Sequence, residues 1–330
     1  MNKHILVVGG AGYIGAHMCK YLAAHGYTPL VLDNLVYGHR EAVQWGPLIE
    51  GSIENTRLLD EVFSKHDISG VMHFAAYAYV GESVEDPAKY YRNNVAATLN
   101  LLEAMVRHRV DRFIFSSSCA TYGEPVRIPM AEDHPQFPIN PYGRTKLMVE
   151  QVLDDFEHAY GLRSVCLRYF NAAGADSEGR LGEDHNPETH LIPLVLQTAL
   201  GQRKEIHIFG DDYDTPDGTC IRDYIHVEDL AQAHLTAMVQ LLDGAPGDKF
   251  NLGNGEGYSV KAVIDTARRI TGKPISARID PRRPGDPPAL IGSSEKAMRD
   301  LEWKPAYPDL ETIIETAWRW HQRHPQGFGR

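Results

Sequence analysis

Residues 4–15 read HILVVGGAGYIG, and their order decides the fold. Four apolar residues, Ile5 to Val8, form a buried strand that runs straight into glycines, and a helical pattern starts at Tyr13. Gly9, Gly12 and Gly15 give the spacing GxxGxxG, while Gly10, Gly12 and Gly15 satisfy GxGxxG; the spacing alone does not choose between them. Both do the same work. Missing side chains let a pyrophosphate approach the backbone at a helix N-terminus, where N–H groups are unpaired. About twenty residues on, a second strand ends in Asp33, whose carboxylate suits the two ribose hydroxyls and repels a 2′-phosphate. Asn34 and Leu35 bring no arginine beside it, and Arg40 is the nearest, so NAD is favoured over NADP.

Outward from this turn the pattern repeats. Strand candidates 29–32, 71–74, 112–116 and 164–168 alternate with helix candidates 13–25, 55–65, 88–108 and 142–160. Such alternation means a parallel sheet with helices on both faces, a Rossmann-like doubly wound α/β fold. After about residue 170 the texture changes. Residues 171–190, 211–219 and 280–288 are polar loops rich in Asp, Pro and Gly, of the kind that carry function. Residues 223–242 read as a strand, a turn and a helix with Glu228 or Asp229 near its start. The expected organisation is an NAD-binding domain over 1–170, with 220–243 packing back on it, and a smaller, discontinuous, mixed α/β substrate-binding domain over 171–330.

Composition narrows the partners. The chain has 330 residues, is 43% hydrophobic and 23% charged, and carries a formal net charge of −11. That excess of acid argues against nucleic acid. No apolar run approaches the roughly 20 residues that span a bilayer, and the N-terminus reads as a strand rather than a signal peptide. Cys19, Cys119, Cys166 and Cys220 form no CxxC pair, which fits a reduced, cytoplasmic protein. The histidines show no HExxH and no His/Cys cluster at ligand spacing, so no metal is expected.

Two further stretches carry chemistry. In IFSSSCATYG, residues 114–123, a strand delivers Ser116, Ser117 and Ser118 at its carboxyl end, where ligands bind in open α/β sheets. In NPYGRTK, residues 140–146, Tyr142 and Lys146 stand four apart, just over one helical turn. Alone, such a pair describes any solvated helix. After a dinucleotide fingerprint it suggests a phenol whose proton is drawn off by an ammonium and the positive nicotinamide. Tyr142 is then a base for a hydroxyl proton, Lys146 supplies charge and holds the nicotinamide ribose, and Ser118 hydrogen-bonds the reacting oxygen.

GGAGYIG, Asp33-Asn34, SSS…YG and YGRTK resemble the extended short-chain dehydrogenase/reductases. HFAAYAYVGES, LRYFNAAGA, GTCIRDYIHV, FNLGNG and RRPGDPP narrow the resemblance to the UDP-glucose 4-epimerase group, from about residue 3 to the HPQG near the C-terminus. The resemblance implies a retained NAD, removal of the 4-hydroxyl proton by Tyr142 as the C4 hydride leaves, turnover of the 4-ketose while UDP stays anchored, and return of the hydride to the opposite face. It places Gly9, Gly12, Tyr13, Ile14, Gly15, Asp33, Asn34, Ser52, Ile53, Phe74, Ala75, Ala76, Asn93, Ser116, Tyr142, Lys146 and Tyr169 at the cofactor. At the UDP-sugar it places Ser118, Tyr142, Phe170, Asn171, Leu191, Phe209, Arg222, Arg283, Asp286 and Leu290. Arg222 and Arg283 match the diphosphate arginines, whose planar forks suit phosphate; Asp286 matches the ribose acid; Leu191 and Phe209 line the uracil site.

Three positions depart from the group. Ala78 stands where many members have a lysine near the nicotinamide. Ser52 replaces the usual Asp facing the adenine amino group. Leu290 replaces the tyrosine often found beside the hexose C2 substituent, and a smaller gate there admits N-acetylhexosamines. The AYVGES stretch is also similar to UDP-pentose 4-epimerases, which leaves UDP-xylose/UDP-arabinose open. A 4,6-dehydratase needs an Asp-Glu pair after Ser118, where this chain has Cys119 and Ala120. A free-alcohol dehydrogenase has no use for the diphosphate arginines, and a non-catalytic NAD sensor has no need of Tyr142 and Lys146. By analogy with the group, helices 88–108 and 142–160 pair across a two-fold axis into a homodimer.

Overall fold

The computed structural model describes residues 4–283 and 285–329. Pro284, inside the RRPGDPP stretch, lies outside them, as do residues 1–3 and 330. Strands β1 (His4–Val8), β2 (Thr28–Asp33), β3 (Leu48–Glu50), β4 (Ile68–His73), β5 (Arg112–Ser118) and β6 (Arg163–Tyr169) form one sheet with the edge strand Asp248–Leu252. The order is Asp248–Leu252, β6, β5, β4, β1, β2, β3, and every pairing is parallel. The strand order reverses between β1 and β4. Their carboxyl ends therefore face the crevice where doubly wound sheets bind ligands.

Both faces of the sheet are covered, and alternate residues show it. Ile5 and Val7 sit in a core with Met18 and Leu22 of the helix Tyr13–Ala24 and with Leu230, Met238 and Leu241 of the helix Val227–Leu242. Leu6 and Val8 sit in a second core with Leu59, Leu101, Leu102 and Leu153 from the helices Thr56–Lys65, Ala97–Arg107 and Pro141–Tyr160. A strand buried on both faces reads as an unbroken apolar run, which is why HILVV shows no alternation.

The rest of the chain builds around a third core. Helices Leu191–Ala199, Val260–Thr271 and Leu310–Arg323 pack there with Ile206 and Ile208. Short strand pairs join the halves: Tyr224–His226 runs beside Asn171–Ala173, and Ile221–Arg222 pairs with both Tyr258–Ser259 and Ala289–Leu290.

The elements differ from the sequence reading in three places. The sheet gains β3 and Asp248–Leu252, each too short or too polar to stand out as an apolar run. The expected helix 88–108 is three pieces: Pro87–Tyr90, a π-helical turn Tyr91–Ala96, and Ala97–Arg107. The turn carries Asn94, whose Oδ1 accepts from the Tyr77 N–H (2.9 Å) and whose Nδ2 reaches Thr145 Oγ1 (3.2 Å). A wide turn at such a contact is a known way to aim side chains. Finally, no turn separates Tyr224–His226 from its helix. His226 is itself the N-cap, its ring accepting from the Glu228 N–H, and Glu228 and Asp229 both lie in the first turn.

Candidate active site

The three glycines divide the labour at the carboxyl end of β1. Gly9 has φ +83°, and a Cβ there would stand 2.5 Å from the Ala75 nitrogen. It makes the turn and lets the loop after β4 come close. A Cβ on Gly15 would meet the Gly9 carbonyl at 2.2 Å, so Gly15 seats the helix on the turn. At Gly12 only the Gly9 oxygen lies near, at 3.5 Å, leaving the space above open. Gly12 is also the N-cap, with no side-chain cap bond and no acid in the first turn. The geometry thus favours the GxxGxxG reading, with open backbone donors at Tyr13 and Ile14. The Tyr13 hydroxyl donates to the Gly174 carbonyl (2.7 Å), tying the turn to the second half of the chain.

Asp33 closes the other side. Its carboxylate accepts from the Ala11 N–H (2.9 Å) and the Leu35 N–H (2.8 Å). Burial raises its pKa, and those two N–H groups act against the rise. Asn34 is exposed and accepts from the Val36 N–H. Ser52 Oγ accepts from the Glu54 N–H (3.1 Å), and Ile53 is buried beside it, its carbonyl held by Asn100. Phe74 and Ala75 both donate to the Val8 carbonyl, which places the Phe74–Ala76 loop against Gly9. Asn93 donates to Asn94. Ala78 is exposed, but Lys89 brings a cation to the same loop, 4.3 Å above the Tyr77 ring, within 3.3 Å of the Tyr37 hydroxyl and 2.6 Å from Glu82. An open helix N-terminus, a carboxylate at the end of β2 and a glycine-cleared floor fit a dinucleotide.

Ser116, Ser118, Tyr142, Lys146 and Tyr169 form one cluster at the ends of β5 and β6. Asn140 caps the helix Pro141–Tyr160 through the Gly143 N–H (2.8 Å), and Pro141 holds its first position. A Cβ on Gly143 would lie 2.3 Å from the Ala120 carbonyl, so only glycine lets this first turn sit against the loop after β5. That seats Tyr142 by Ser118, whose hydroxyl acts to lower the phenol's pKa. Lys146 donates to the Ser116 carbonyl (2.7 Å), with Nζ 5.8 Å from the Tyr142 ring centroid and 4.9 Å from that of Phe115. Ser116 and Tyr169 hydroxyls are bonded to each other.

The electrostatics sharpen the sequence reading. Burial pushes the Tyr142 phenol up to about 12, against the pull of the Ser118 hydroxyl. Burial lowers Lys146 to about 7, against the support of Glu150 one turn further on. The protein fold by itself therefore keeps the phenol protonated and the ammonium marginal. Positive charge brought into the cleft favours the phenolate.

The other end is assembled from four segments. Arg222 pairs with Asp286 (2.8 Å) and donates to the Pro287 carbonyl; its neighbour Asp223 is buried and accepts instead from the Asn254, Gly255 and Gly292 N–H groups. The Asp286 N–H donates to the Arg283 carbonyl, and the Arg283 guanidinium stacks 3.8 Å from the Phe209 ring centroid. Leu290 stands in register with Arg222. Leu290 and Cys119 also pack on a small core of Tyr122, Met130 and Phe170, which links this end to the Ser118 loop. Asn171 donates to the Asp223 carbonyl (2.8 Å). Leu191 opens its helix against the third core.

Sequence reading missed two groups. Glu150 and Arg168 form a buried pair (2.6 Å) that also takes the Ser117 hydroxyl (2.5 Å). Glu150 follows Lys146 by one turn, a spacing visible in KLMVE. The second group is Glu183, His185, Glu188 and His190, which converge in space although the histidines were read as scattered. Its signal was present as ExHxxExH.

The family described as NAD dependent epimerase/dehydratase matches residues 5–253. The chain is similar to the UDP-glucose 4-epimerase of Halalkalibacterium halodurans, 56% identical over 324 residues, 98% of this chain and 97% of that protein. It is 54% identical to the UDP-glucose 4-epimerase of Rhizobium meliloti over 326 residues, 99% of each. Among solved structures, the UDP-glucose 4-epimerase from Brucella ovis in complex with NAD superposes with a TM-score of 0.94 at 53% identity, over 96% of this chain and 97% of that one.

Proposed function

The chain belongs to the NAD dependent epimerase/dehydratase family, and on that footing we propose that it interconverts UDP-glucose and UDP-galactose by inverting C4. The observation that carries the reading is the Ser118–Tyr142–Lys146 cluster at the mouth of the dinucleotide cleft, joined through Leu290 and Cys119 to the arginine end. Gly9, Gly12, Gly15 and Asp33 hold NAD⁺, which supplies when bound the hydride acceptor for C4 and a positive ring beside the phenol. Tyr142 takes the proton of the sugar 4-hydroxyl and later returns it to the 4-oxygen. Ser118 fixes that oxygen by hydrogen bonding. Lys146, whose ammonium burial leaves partly charged near neutral pH, adds to the positive ring in drawing the proton from a phenol pushed up by burial. Arg222 and Arg283 anchor the diphosphate while the 4-keto sugar turns within the cleft, Asp286 and Phe209 take the uridine, and Leu290 leaves room at C2 for an N-acetyl group.

The finer organisation follows the same reading. The cofactor domain ends near residue 170 and takes back 220–243, as the shared core of Ile5 and Leu230 supports. The protein works as a homodimer through the helices of 88–108 and 142–160, the second of which exposes Met148. Among the described residues no helix is long and apolar enough to cross a membrane, and all four cysteines are free. The cysteines suit the reducing cytoplasm.

The test is to incubate UDP-glucose and UDP-galactose separately with purified protein and no added NAD⁺. Convergence on one mixture from both sides supports 4-epimerisation with retained cofactor. If neither sugar changes, even with NAD⁺ supplied, while UDP-xylose is converted, the hexose assignment fails in favour of the pentose.

A further inference from the structure

Away from the reacting groups, residues 183–190 fold four ligand-bearing side chains onto one point. One atom from each of Glu183, His185, Glu188 and His190 lies within 4.8 Å of all the others. Both imidazoles present Nδ1. The separations are 3.2 Å from His185 Nδ1 to Glu183 Oε1, 3.7 Å from His185 Nδ1 to Glu188 Oε2, 3.5 Å from His190 Nδ1 to Glu188 Oε1, and 2.6 Å from His190 Nδ1 to Glu183 Oε1. Nitrogen and oxygen ligands on a tetrahedron around zinc, at about 2.0–2.2 Å from the metal, stand about 3.3–3.6 Å apart. Three of these four contacts, which draw on both oxygens of Glu188, are close to that range. The fourth is a hydrogen bond that must open by less than about 1 Å.

Other features favour an ion there. The Glu183 and Glu188 side chains are only 5% and 6% exposed. Two desolvated carboxylates on one point demand compensating positive charge. Glu188 is already oriented: its Oε1 accepts from the Thr189 N–H (2.7 Å) and the His190 N–H (2.8 Å), the kind of support that fixes a ligating carboxylate. Independently, the buried His185 Nδ1 makes no hydrogen bond of adequate direction, although it points among the other three groups.

We propose that Glu183, His185, Glu188 and His190 form a binding site for a divalent transition-metal ion of borderline softness, with zinc the best match. Two carboxylates, two neutral imidazoles and a dication make a neutral N₂O₂ set, and harder ions such as magnesium are poorly served by imidazole. The ion takes no part in the chemistry at the sugar. Its place explains its use. The Tyr79 hydroxyl donates to the Pro187 carbonyl (2.9 Å), the His39 ring contacts the Asp184 carbonyl (2.9 Å), and Tyr13 meets His185 edge to face at 6.3 Å. The metal would lock a strap that lies across the first glycine turn and the loop after β4, both walls of the cofactor cleft.

The rival is a purely ionic network in which two imidazoliums compensate two carboxylates. Untagged protein, stripped with chelator and shown to be folded by circular dichroism, is titrated with cobalt(II) and with zinc. The expected result is one metal per chain, cobalt absorption of tetrahedral intensity displaced by zinc, and a higher melting temperature with zinc. The double variant His185→Ala/His190→Ala is expected to weaken binding by at least about 100-fold. Glu188→Gln, which keeps shape and the backbone hydrogen bonds, serves where the double variant does not fold, and is expected to lose the tetrahedral spectrum. Absence of saturable binding, a weak octahedral cobalt spectrum, or binding undiminished in the variants would each overturn the proposal in favour of the ionic network.

Discussion

Replacing Glu150 by alanine probes how the helix that carries Tyr142 and Lys146 is held. Glu150 is fully buried and accepts from Ser117 Oγ (2.5 Å) and from Arg168 Nε (2.9 Å) and Nη2 (2.6 Å). The Arg168 side chain is 3% exposed, and its remaining side-chain partner is the Tyr122 hydroxyl (2.9 Å). Removing the carboxylate strands a guanidinium in the interior, which destabilises by about 3–5 kcal/mol. For a chain of 330 residues that is a fall of about 4–7 °C in Tm. The loss comes from the unpaired charge rather than from the bond, so Glu150→Leu with Arg168→Met should recover at least half of it. Turnover should fall in the single variant, because the pair joins this helix to β5 and β6, which present Ser116–Ser118 and Tyr169. Urea unfolding of the wild type, single and double variants, followed by circular dichroism, gives the three stabilities. A single variant within about 1 kcal/mol of wild type, or a double variant no better than the single, refutes the reasoning.

Three other outcomes follow from the geometry. Leu290→Tyr should lower kcat/KM for UDP-GlcNAc by roughly 10–200-fold relative to UDP-glucose, the size of effect a pocket wall exerts; equal effects on both sugars, or total exclusion of UDP-GlcNAc by the wild type, would remove Leu290 as the gate. Asp33→Asn, measured by calorimetry on cofactor-stripped protein, should weaken NAD⁺ binding by about 10–100-fold through loss of charge-assisted bonds to the ribose; unchanged affinity contradicts the role. His234, fully buried between Phe74 and Tyr169, is held down to about 4 by burial. Its folded-state value lies below the unfolded one, so its contribution to stability is present above about 6.5 and lost as pH falls. At pH 5 the loss from this one group is about 2 kcal/mol. His234→Phe should therefore shrink the drop in unfolding free energy between pH 7.5 and 5 by about that much, and an unchanged drop contradicts it.

Local rules made the nucleotide end legible. HILVVGG can only be a strand that meets a glycine turn, and Asp33 at the end of the next strand follows from chain order. Tyr142 and Lys146 were legible because a capped helix fixes their spacing and the fingerprint upstream gives the spacing meaning. The substrate end was not derivable in the same way. Arg222, Arg283, Phe209 and Leu290 lie on four segments up to 81 positions apart in the chain, and only the resemblance to a family named them together. What pairs with what there depends on the fold: the neighbour Asp223 is occupied by three backbone N–H groups, so Arg222 turns to Asp286. The short strands and the π-helical turn escaped because long-range pairing, not propensity, makes them. Burial was also invisible in the sequence, and it is burial that sets Tyr142 and Lys146 where they stand.

The most direct measurement is the rate of UDP-galactose to UDP-glucose conversion by Tyr142→Phe beside the wild type, each with NAD⁺ bound to the same extent. The phenyl ring fills the same space and lacks only the group that moves the proton. A fall of at least about 100-fold in kcat is predicted, the scale of acid–base catalysis. A variant that turns over at close to the wild-type rate would contradict the assignment of Tyr142 and the mechanism built on it.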